Sequence, residues 1–374
     1  MRIGVMLRAL DEKGGIGVYT QNVLQELLDH DARNHYVLFY RNPSHIGRFA
    51  GRSNVKECLV RAPHKTLWDQ VAIPNACRRE KVDVVFHPKF TAPLLAPCKA
   101  VMVVHGADWF IPEQAQFYSR LNVLSMRVAM SLYFRKCAVV ISDSQLTTDN
   151  FRQVLPRALR NMETVYFGPA RYFHRVEDPE RLRHVKARYE LPEKFILTLT
   201  KRGGDNRKNL GQVFKAYARY HQRSQSPHKL VVGGKDCHLF RDEYGLSNEL
   251  HCGDVLFPGW IEQEDLPAVY TLADVYLYPS NLEAFPIPIT EAMACGTPII
   301  TSNVNGLEEI AGDAALLVDP GDTDHIAQAI ARVLTDPQLR KELSKRGLER
   351  SKVFSWDKCA SETLSILERV TSNS

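Results

Sequence analysis

Short apolar runs alternate with amphipathic stretches along the chain, and this alternation predicts a succession of strands and helices. In the first half, the apolar runs predict strands at residues 3–7, 36–40, 82–87, 100–104 and 138–141. In the second half, they predict strands at residues 195–200, 229–233, 255–257, 275–278 and 299–301. The intervening stretches, such as residues 18–28 and 66–81, have helical periodicity. The sequence therefore predicts two α/β units, each with a mostly parallel sheet.

The length of the chain favours the same division, because 374 residues are too many for one ordinary domain. The polar stretch of residues 175–193 is the best candidate for a linker. We therefore expect one domain at residues 1–175 and a second at residues 176–353. Residues 354–374 predict a short helix whose apolar face carries Ala360, Leu364 and Leu367.

The composition is typical of a soluble globular protein, with 44% hydrophobic and 24% charged residues. No apolar stretch approaches the roughly 18 residues that a membrane-spanning helix needs. The chain goes from Met1 directly into a predicted strand, without the layout of a signal peptide. Its eight cysteines are scattered and form no C-x-x-C pair, so we expect a protein of the reducing cytoplasm.

The charge is distributed unevenly between the two halves. Residues 1–175 carry 24 Lys and Arg against 14 Asp and Glu, a net charge of +10, whereas residues 176–374 carry 24 against 29, a net charge of −5. The basic half predicts an anionic partner such as a phospholipid surface or a pyrophosphate-linked lipid, although a solvated face without a partner is also compatible. Nucleic acid is disfavoured, because the charges form no dense run with interleaved aromatic residues.

One segment of the basic half, residues 119–136, is strongly apolar and carries Arg120, Arg127 and Arg135 at helical spacing. One interpretation is a helix face that rests on an anionic membrane. The other is a core helix with a solvent-exposed stripe. The sequence leaves both interpretations open.

The segment of residues 279–298 carries two glutamates eight positions apart. Glu283 follows the predicted strand 275–278, and Glu291 lies in the opening turns of a short helix that ends at Gly296. The helix dipole is expected to keep Glu291 ionised, and an ionised carboxylate is a strong acceptor for sugar hydroxyl groups. The pair therefore predicts a site that binds hydroxyl groups at the carboxyl end of a strand.

A basic loop follows the first predicted strand of the second half. Arg202 and Lys208 bracket the start of the next helix, which Asn209 and Gln212 are expected to cap. Fixed cations stabilise the charge that grows on a diphosphate leaving group as its bond to a sugar breaks. No acidic metal-binding motif accompanies them, so these cations are expected to replace a metal. A solvated basic loop is the alternative.

The first predicted strand of the chain leads into a glycine-rich turn, Gly14-Gly15, before the helix 18–28. Glycines there allow backbone amides to approach an anion, although a tight connection alone would look the same. His105 ends the predicted strand 100–104, where it could reach a sugar hydroxyl, but a structural histidine is the more common case. The polar run 142–147 is expected to cap a helix. The Cys-His pairs at 237–238 and 251–252 have poor spacing for zinc, so no metal is expected.

Taken together, these motifs resemble family 4 of the retaining glycosyltransferases, along most of the chain. The resemblance rests on an E-x7-E signature, two cations, a glycine turn and a closing motif: Glu283 and Glu291, Arg202 and Lys208, Gly14-Gly15, and Phe354-Ser355-Trp356. It implies the GT-B fold, in which two Rossmann-like domains face each other across a deep cleft. It also implies that the C-terminal helix crosses back to the first domain, which binds the acceptor, while the second binds the nucleotide-sugar.

The resemblance implies roles for the residues around the reacting sugar. Arg202 and Lys208 would hold the donor diphosphate, and Gly15 would offer its amide to the same phosphates. Glu283 would face the donor sugar near its reacting carbon, and His105 would contact the sugar from the opposite domain. Front-face transfer with retention needs no protein nucleophile, so positioning and leaving-group stabilisation would supply most of the rate.

The resemblance also implies a set of residues for the nucleoside. Glu291 would bind the ribose hydroxyls, and Trp260-Ile261 falls where the family places the nucleobase. Phe285 and Ile287 complete the expected donor-binding set. Many relatives read Glu-Gly-Phe-Gly where this chain has Pro286 in the last position, and proline lacks the backbone donor that often contacts the sugar.

The activity implied is metal-independent, retaining transfer of a hexose from GDP-mannose or a UDP-hexose to a saccharide. The basic first half favours a lipid-linked saccharide in surface polysaccharide or lipopolysaccharide assembly, and hence a protein in the cytoplasm or peripheral on the inner face of the membrane. Three alternatives stay open: transfer to a small metabolite, another GT-B chemistry such as sugar-nucleotide epimerisation, and a non-catalytic homologue that binds a nucleotide-sugar.

Overall fold

Two units make up the chain in the computed structural model, which describes residues 1–12, 14–115, 118–155, 161–200, 206–224, 226–244 and 254–372. The first unit comprises Met1–Phe167 and Trp356–Ser374, and the second comprises Gly168–Ser355. Each unit is built on one parallel β-sheet. Among the described helices, not one combines the length and the apolar character needed to cross a membrane.

The described part of the first unit contains a seven-stranded parallel sheet in the order β3-β2-β1-β4-β5-β6-β7. Its strands are β1 Arg2–Met6, β2 His35–Tyr40, β3 Val55–Leu59, β4 Val84–His87, β5 Lys99–Val104, β6 Cys137–Ser142 and β7 Met162–Thr164. Its helices up to that point are α1 Gly15–His30, α2 Lys65–Leu67, α3 Ile73–Glu80, α4 Pro112–Ala115, α5 Arg120–Lys136 and α6 Gln145–Val154, with a π-helical turn, Trp68–Ala72, between α2 and α3. The central strands are apolar and buried on both faces, as parallel strands covered by helices must be.

The described part of the second unit contains a six-stranded parallel sheet in the order β10-β9-β8-β11-β12-β13. Its strands are β8 Phe195–Leu199, β9 Lys229–Gly233, β10 Val255–Gly259, β11 Val275–Tyr278, β12 Ile299–Ser302 and β13 Leu316–Val318. Its helices are α7 Pro179–Arg188, α8 Leu210–Ser224, α9 Phe240–Glu243, α10 Leu266–Leu272, α11 Ile287–Ala294, α12 Asn305–Ala311, α13 Thr323–Thr335 and α14 Pro337–Ser351. The apolar faces of α8 and α13 form one core with the sheet.

The last helix, α15 Trp356–Ser372, belongs to the first unit, as predicted. Trp356 stacks on Phe167 with ring centroids 4.9 Å apart, and its ring meets Tyr19 of α1 edge-on. The apolar face that the sequence predicts includes buried Ala360 and Leu367, but the helix is 17 residues long rather than short.

The predicted fold class is confirmed: both units are α/β with parallel sheets. The sequence pattern does not predict three of the strands, β3, β7 and β13. Each is an edge strand with half-buried positions, so its apolar signal is weak. The linker predicted at residues 175–193 is wrong, because that stretch contains α7, which Asp178 caps. Only Val185 of α7 is buried, so the sequence of this surface helix is nearly as polar as that of a linker. The prediction mistook the one for the other.

Candidate functional site

The order of the strands locates the candidate site in the second unit. Successive strands leave β8 in opposite directions, toward β9 and β10 on one side and toward β11 and β12 on the other. Ligands of doubly wound sheets bind beyond the carboxyl ends of the strands at such a switch point. The segments that follow β8 and β11 at this edge contain the predicted Lys208 and Glu283.

Lys208 and Glu283 form an ion pair at this switch point. The Lys208 Nζ donates to Glu283 Oε1 at 2.9 Å and lies 4.3 Å from the centre of the Tyr278 ring. The same carboxylate oxygen accepts a hydrogen bond from the Tyr278 hydroxyl at 2.8 Å, and Ser280 Oγ lies 3.3 Å from it. Because 31% of the Lys208 side chain and 14% of the Glu283 side chain are exposed, the pair forms a partly open, polar surface with fixed geometry.

Backbone hydrogen bonds hold the two segments together. The Asn281 amide and Ser280 Oγ both donate to the carbonyl of Arg207, each at 2.7 Å. The Asn209 side chain donates to the carbonyls of Pro279 and Pro320, at 3.0 and 2.7 Å. These contacts keep Lys208 beside Glu283 independently of their charges.

The capping pair predicted for α8 is wrong. The Gln212 side chain donates to the carbonyl of Gly321 and accepts from Thr323 Oγ1, so it does not reach back to Asn209. Asn209 itself has a φ of 56°, the left-handed conformation that asparagine tolerates better than most residues. Its amide joins the loops after β11 and β13 rather than closing a capping box.

Gly306 supports the Glu283 loop from α12, a contact that no sequence pattern predicts. Its amide donates to the Glu283 carbonyl at 3.0 Å. A Cβ atom at this position would lie 2.2 Å from the Ala284 carbonyl oxygen, so any larger residue must displace the loop. The neighbouring Asn305 donates to the Asn281 carbonyl at 3.1 Å. The α12 amino terminus therefore fixes the position of Glu283.

The prediction that the helix dipole keeps Glu291 ionised is wrong. Glu291 is the fifth residue of the eight-residue α11, beyond the first turn, where the field of the helix terminus has faded. Burial raises the pKa of Glu291 to about 7, against the opposing effect of a hydrogen bond from the Tyr270 hydroxyl at 3.1 Å. This carboxyl group therefore changes its charge near neutral pH.

A row of three tyrosine rings connects the two glutamates. Tyr270 meets Tyr276 edge-on with ring centroids 5.2 Å apart, and Tyr276 stacks on Tyr278 at 5.5 Å. At one end of the row, the Tyr278 hydroxyl donates to Glu283. At the other end, the Tyr270 hydroxyl donates to Glu291. The sequence predicts the alternating tyrosines of β11 as a strand and does not mark them as part of the site.

The residues predicted for the nucleobase follow β10. Trp260 is 56% exposed, whereas Ile261 is buried against Gly233 at the end of β9. A Cβ atom at Gly234 would lie 1.7 Å from the Thr200 carbonyl oxygen, and its φ of 138° also requires glycine. The Gly233-Gly234 turn thus allows the ends of β8 and β9 to approach each other beside an exposed indole.

The remaining donor-binding predictions in the second unit lie at the start of α11. Phe285 is buried and its ring meets Phe354 edge-on at 5.9 Å, while Ile287, the first residue of α11, is half-buried. Arg202 lies outside the described residues. Of the two described side chains, Phe285 is therefore part of the protein interior, and Ile287 is partly accessible to a ligand.

Two predicted residues lie in the first unit. Gly15 begins α1 and a Cβ atom there would meet open space, whereas a Cβ atom at Gly17 would lie 2.1 Å from the Glu12 carbonyl oxygen. The turn thus requires glycine at Gly17 for space, whereas Gly15 has room for a side chain. His105 follows β5, where its Nε2 lies 3.1 Å from the Pro88 carbonyl and its Nδ1 lies 3.8 Å from Asp143 Oδ2. The predicted helix cap nearby is confirmed, since Ser144 Oγ accepts from the Thr147 amide.

A buried polar network follows β1 and β4 in the first unit, and no sequence pattern predicts it. Arg8 donates twice to the Asp69 carboxylate, at 3.1 and 2.9 Å, and Thr91 Oγ1 donates to the same group. His87 Nδ1 lies 2.7 Å from the Thr91 carbonyl, and burial lowers the pKa of His87 to about 4. The network fixes the loops after both strands.

The described residues contain a group of three side chains whose ligand atoms lie close enough to share a metal: Glu26, His30 and Asp357. That group joins α1 to α15 in the first unit. The group thus belongs to the first unit, whereas Lys208 and Glu283 belong to the second.

The comparisons with known proteins relate this chain to glycosyltransferases. The family model of glycosyl transferases group 1 matches residues 183–350, which include Lys208, Glu283 and Glu291. O-antigen chain mannosyltransferase B of Escherichia coli is 29% identical over 295 residues, which cover 76% of this chain and 74% of that protein. Alr3699/HepE of Anabaena, solved with UDP and glucose, has the same fold, with a TM-score of 0.74 at 18% identity over 99% of this chain and 100% of that chain. The chain is a glycosyltransferase of the GT-B type.

A second relative of the glycosyltransferase, the serotype-specific mannosyltransferase WbdA of Escherichia coli, is 31% identical over 184 residues. These residues cover 47% of this chain and 22% of that protein, so the match spans about a fifth of its length. Of these two relatives, the O-antigen enzyme is similar to this glycosyltransferase over the longer stretch.

Proposed function

We propose that this glycosyltransferase moves a hexose, with retention and without a metal, from GDP-mannose or a UDP-hexose to a saccharide acceptor. The observation that carries the proposal is the Lys208 and Glu283 pair at the switch point between β8 and β11. A cation and a carboxylate held 2.9 Å apart on a partly open surface suit a ligand with an anionic part and a hydroxylated part. A sugar diphosphate has both.

Lys208 stabilises the leaving diphosphate in this proposal. Its ammonium group has three protons, and the hydrogen bond to Glu283 uses one of them. The others are available to a phosphate oxygen, and Arg202, six positions earlier, is the proposed second cation. As the bond between the anomeric carbon and the diphosphate oxygen breaks, two fixed cations stabilise the negative charge that develops there.

Glu283 positions the sugar rather than attacking it. Its Oε1 already accepts hydrogen bonds from the Lys208 ammonium and the Tyr278 hydroxyl, which fix the orientation of the carboxylate and suit a positioning role. The acceptor oxygen therefore bonds to the anomeric carbon on the face that the diphosphate leaves. Its proton passes to the departing diphosphate oxygen, which balances the reaction, and attack on that face retains the configuration.

The nucleoside is proposed to bind along the edge from Trp260 to Glu291. The exposed indole of Trp260 offers a face for a base, beside the glycine turn that ends β9. The Glu291 carboxylate, held by Tyr270, accepts from the ribose hydroxyls when it is ionised. Two of the similar proteins support the two donor classes, since the Anabaena protein was solved with UDP and glucose and the O-antigen relative is a mannosyltransferase.

The acceptor is proposed to be a saccharide, lipid-linked, of surface polysaccharide or lipopolysaccharide assembly. The Escherichia coli relative that matches 76% of this chain supports this assignment, because it is an O-antigen chain mannosyltransferase. The net charge of +10 on residues 1–175 also favours an acceptor that carries phosphate.

The proposal is tested by incubating the protein with GDP-mannose and with UDP-hexoses, in a chelator, with lipid-linked and free saccharides as acceptors. The expected product is one hexose heavier, and its anomeric proton has the configuration of the donor. Lys208→Ala should abolish the product, and Lys215→Ala, which removes an exposed lysine from α8, should not. Donor that changes without an acceptor, or a product of inverted configuration, would contradict the proposal.

A further inference from the structure

Helix α5 is apolar on two opposite faces. It is 17 residues long, begins after the Ser119 cap and ends before β6. One face packs in the core of the first unit, where Met130 and Phe134 are buried. An ordinary surface helix would be polar on its other side.

The other side of α5 instead exposes four large apolar residues in one stripe. Leu121, Leu124, Val128 and Leu132 are 82%, 62%, 57% and 43% exposed. They follow one another at intervals of three or four positions, so they align along the helix. Scattered exposed apolar residues need no explanation, but an aligned set on one helix marks an interaction surface.

A loop that is tied to α5 carries a further exposed leucine, Leu95, which is 66% exposed. The flanking residues tie that loop to the π turn and to α5. The Leu94 amide donates to the Gln70 side chain, whose own amide lies 3.5 Å from the Tyr133 hydroxyl. On the other side, Lys136 donates to the Ala96 carbonyl at 2.8 Å.

The charges beside the stripe have one sign. Residues 120–136 contain four cations, Arg120, Arg127, Arg135 and Lys136, and no Asp or Glu. None of the four forms an ion pair with a carboxylate among the described residues; Arg127 and Lys136 instead donate to the carbonyls of Trp109 and Ala96. Helix α5 itself therefore carries a net charge of +4.

These charges decide what can cover the stripe. A second copy packed through a two-fold axis would bring two sets of four cations together without an acid on either helix. A bilayer with anionic phospholipids accepts the apolar stripe among its acyl chains and the arginines among its phosphates.

A cavity of about 430 Å³ at the start of α5 fits the same occupant. Arg120 and Arg127 line it together with Val123, Leu124 and Tyr118. Two guanidinium groups beside apolar side chains match a phosphate attached to an acyl glycerol.

We infer that the exposed face of α5, formed by Leu121, Leu124, Val128 and Leu132 and flanked by arginines, docks the protein on an anionic phospholipid bilayer. This surface goes beyond the proposed function and does not depend on it, because binding to lipid needs neither donor nor acceptor. It would keep the protein at the surface where a lipid-linked acceptor is found.

Flotation of the purified full chain with phospholipid vesicles tests the inference. The protein should float with vesicles that contain about 30% phosphatidylglycerol and stay behind with pure phosphatidylcholine. Raising the salt from about 0.05 M to about 0.5 M should weaken binding, since it shortens the screening length. A second measurement, sedimentation velocity, reports the oligomeric state of each variant.

The variant with Leu121, Leu124, Val128 and Leu132 all replaced by Gln should lose at least about tenfold in vesicle binding. Its melting temperature and its activity on a water-soluble acceptor should be unchanged, because the four side chains are exposed. Ile46→Gln, at a position of the first unit that is 43% exposed like Leu132, is the matched apolar control. Arg120→Gln with Arg135→Gln should weaken binding to the anionic vesicles, and Arg33→Gln should not.

Three results would overturn the inference. The wild-type protein could fail to bind anionic vesicles at low salt. The quadruple Gln variant could bind them as tightly as the wild type. The same variant could convert a dimer to a monomer without a change in vesicle binding, which would assign the face to self-association. None of these results bears on donor transfer, so each is distinguishable from a failure of the proposed function.

Discussion

The Lys208 ammonium and the Glu283 carboxylate form an ion pair of 2.9 Å, although 75 positions separate them in the sequence. Neighbouring parallel strands, β8 and β11, bring them together, and hydrogen bonds to the Arg207 carbonyl keep their loops in contact. The pair therefore exists before any ligand binds, which is the preorganisation that leaving-group stabilisation requires.

We expect Lys208→Ala to lower kcat/KM for the donor by at least about a thousandfold, because it removes a fixed cation from the leaving group. Glu283→Gln keeps the size of the side chain. It should lower kcat by a larger factor than it changes the donor KM, since Glu283 acts at the sugar. Steady-state kinetics with varied donor measure both constants. Lys215→Ala is the matched control, and a Lys208→Ala enzyme with normal kcat/KM would place the diphosphate elsewhere.

Glu291 makes the stability of the protein depend on pH. The pKa of Glu291 is about 7 in the folded protein and near 4.5 when unfolded, so the folded state binds the extra proton between these values. Stability should therefore fall as the pH rises from about 4.5 to about 7. Glu291→Gln removes this effect. The melting temperature of the variant, relative to that of the wild type, should therefore rise as the pH rises.

The same residue should make nucleotide binding depend on pH in the opposite direction. Ionised Glu291 is the stronger acceptor for ribose hydroxyls, so affinity for the nucleotide should rise as the pH passes through about 7. Calorimetric titration at several pH values measures this, and Glu291→Gln should abolish the dependence. Glu308→Gln, at an exposed position of α12, should behave as the wild type in both experiments. A pH dependence that persists in Glu291→Gln would assign it to another group.

Gly306→Ala should damage both stability and activity. Its new Cβ atom would lie 2.2 Å from the Ala284 carbonyl oxygen, so the Glu283 loop must move, at a cost of about 1–3 kcal/mol. Gly347→Ala is a matched control within α14, where the nearest atom to a new Cβ is 3.6 Å away. That control should gain roughly 0.5–1 kcal/mol from helix propensity. Chemical denaturation and the transfer assay together check the pair, and full activity in Gly306→Ala would mean that the loop does not position Glu283.

Asn209 separates backbone strain from hydrogen bonding. Asn209→Ala loses the bonds to the Pro279 and Pro320 carbonyls and also places alanine at a φ of 56°, whereas Asn209→Gly loses the bonds alone. We therefore expect Asn209→Ala to be less stable than Asn209→Gly by about 1–2 kcal/mol. Equal stability of the two variants in urea would show that the left-handed conformation is not retained.

The sequence predicts those parts of the fold and the site that depend on local pattern. The apolar runs locate ten strands, and the spacing of Glu283 and Glu291 singles out the segment at the switch point. Features that depend on distant partners are missed. Gly306 matters because α12 approaches the Ala284 carbonyl, and Arg8 matters because Asp69 follows α2; no local pattern encodes either contact.

The errors have the same origin. The ionisation state of Glu291 is predicted from its helix, but burial decides it, against the effect of the hydrogen bond from Tyr270. The Asn209 and Gln212 pair has capping-box spacing, yet both side chains bind loops that lie about 70 and 110 positions further along the chain. Local signals predict where these residues lie, and tertiary contacts determine what they do.

A thermal-shift titration is the most direct test of whether the Lys208 and Glu283 site binds a nucleotide-sugar. Wild-type protein and Lys208→Ala would be compared with UDP, GDP, ADP and TDP and their common sugar conjugates, in a chelator. We expect one base and its conjugates to stabilise the wild type by about 3 kcal/mol at a hundredfold excess over Kd, and Lys208→Ala to lose most of the shift. No shift with any of them, or an equal shift in Lys208→Ala, would contradict the proposed site.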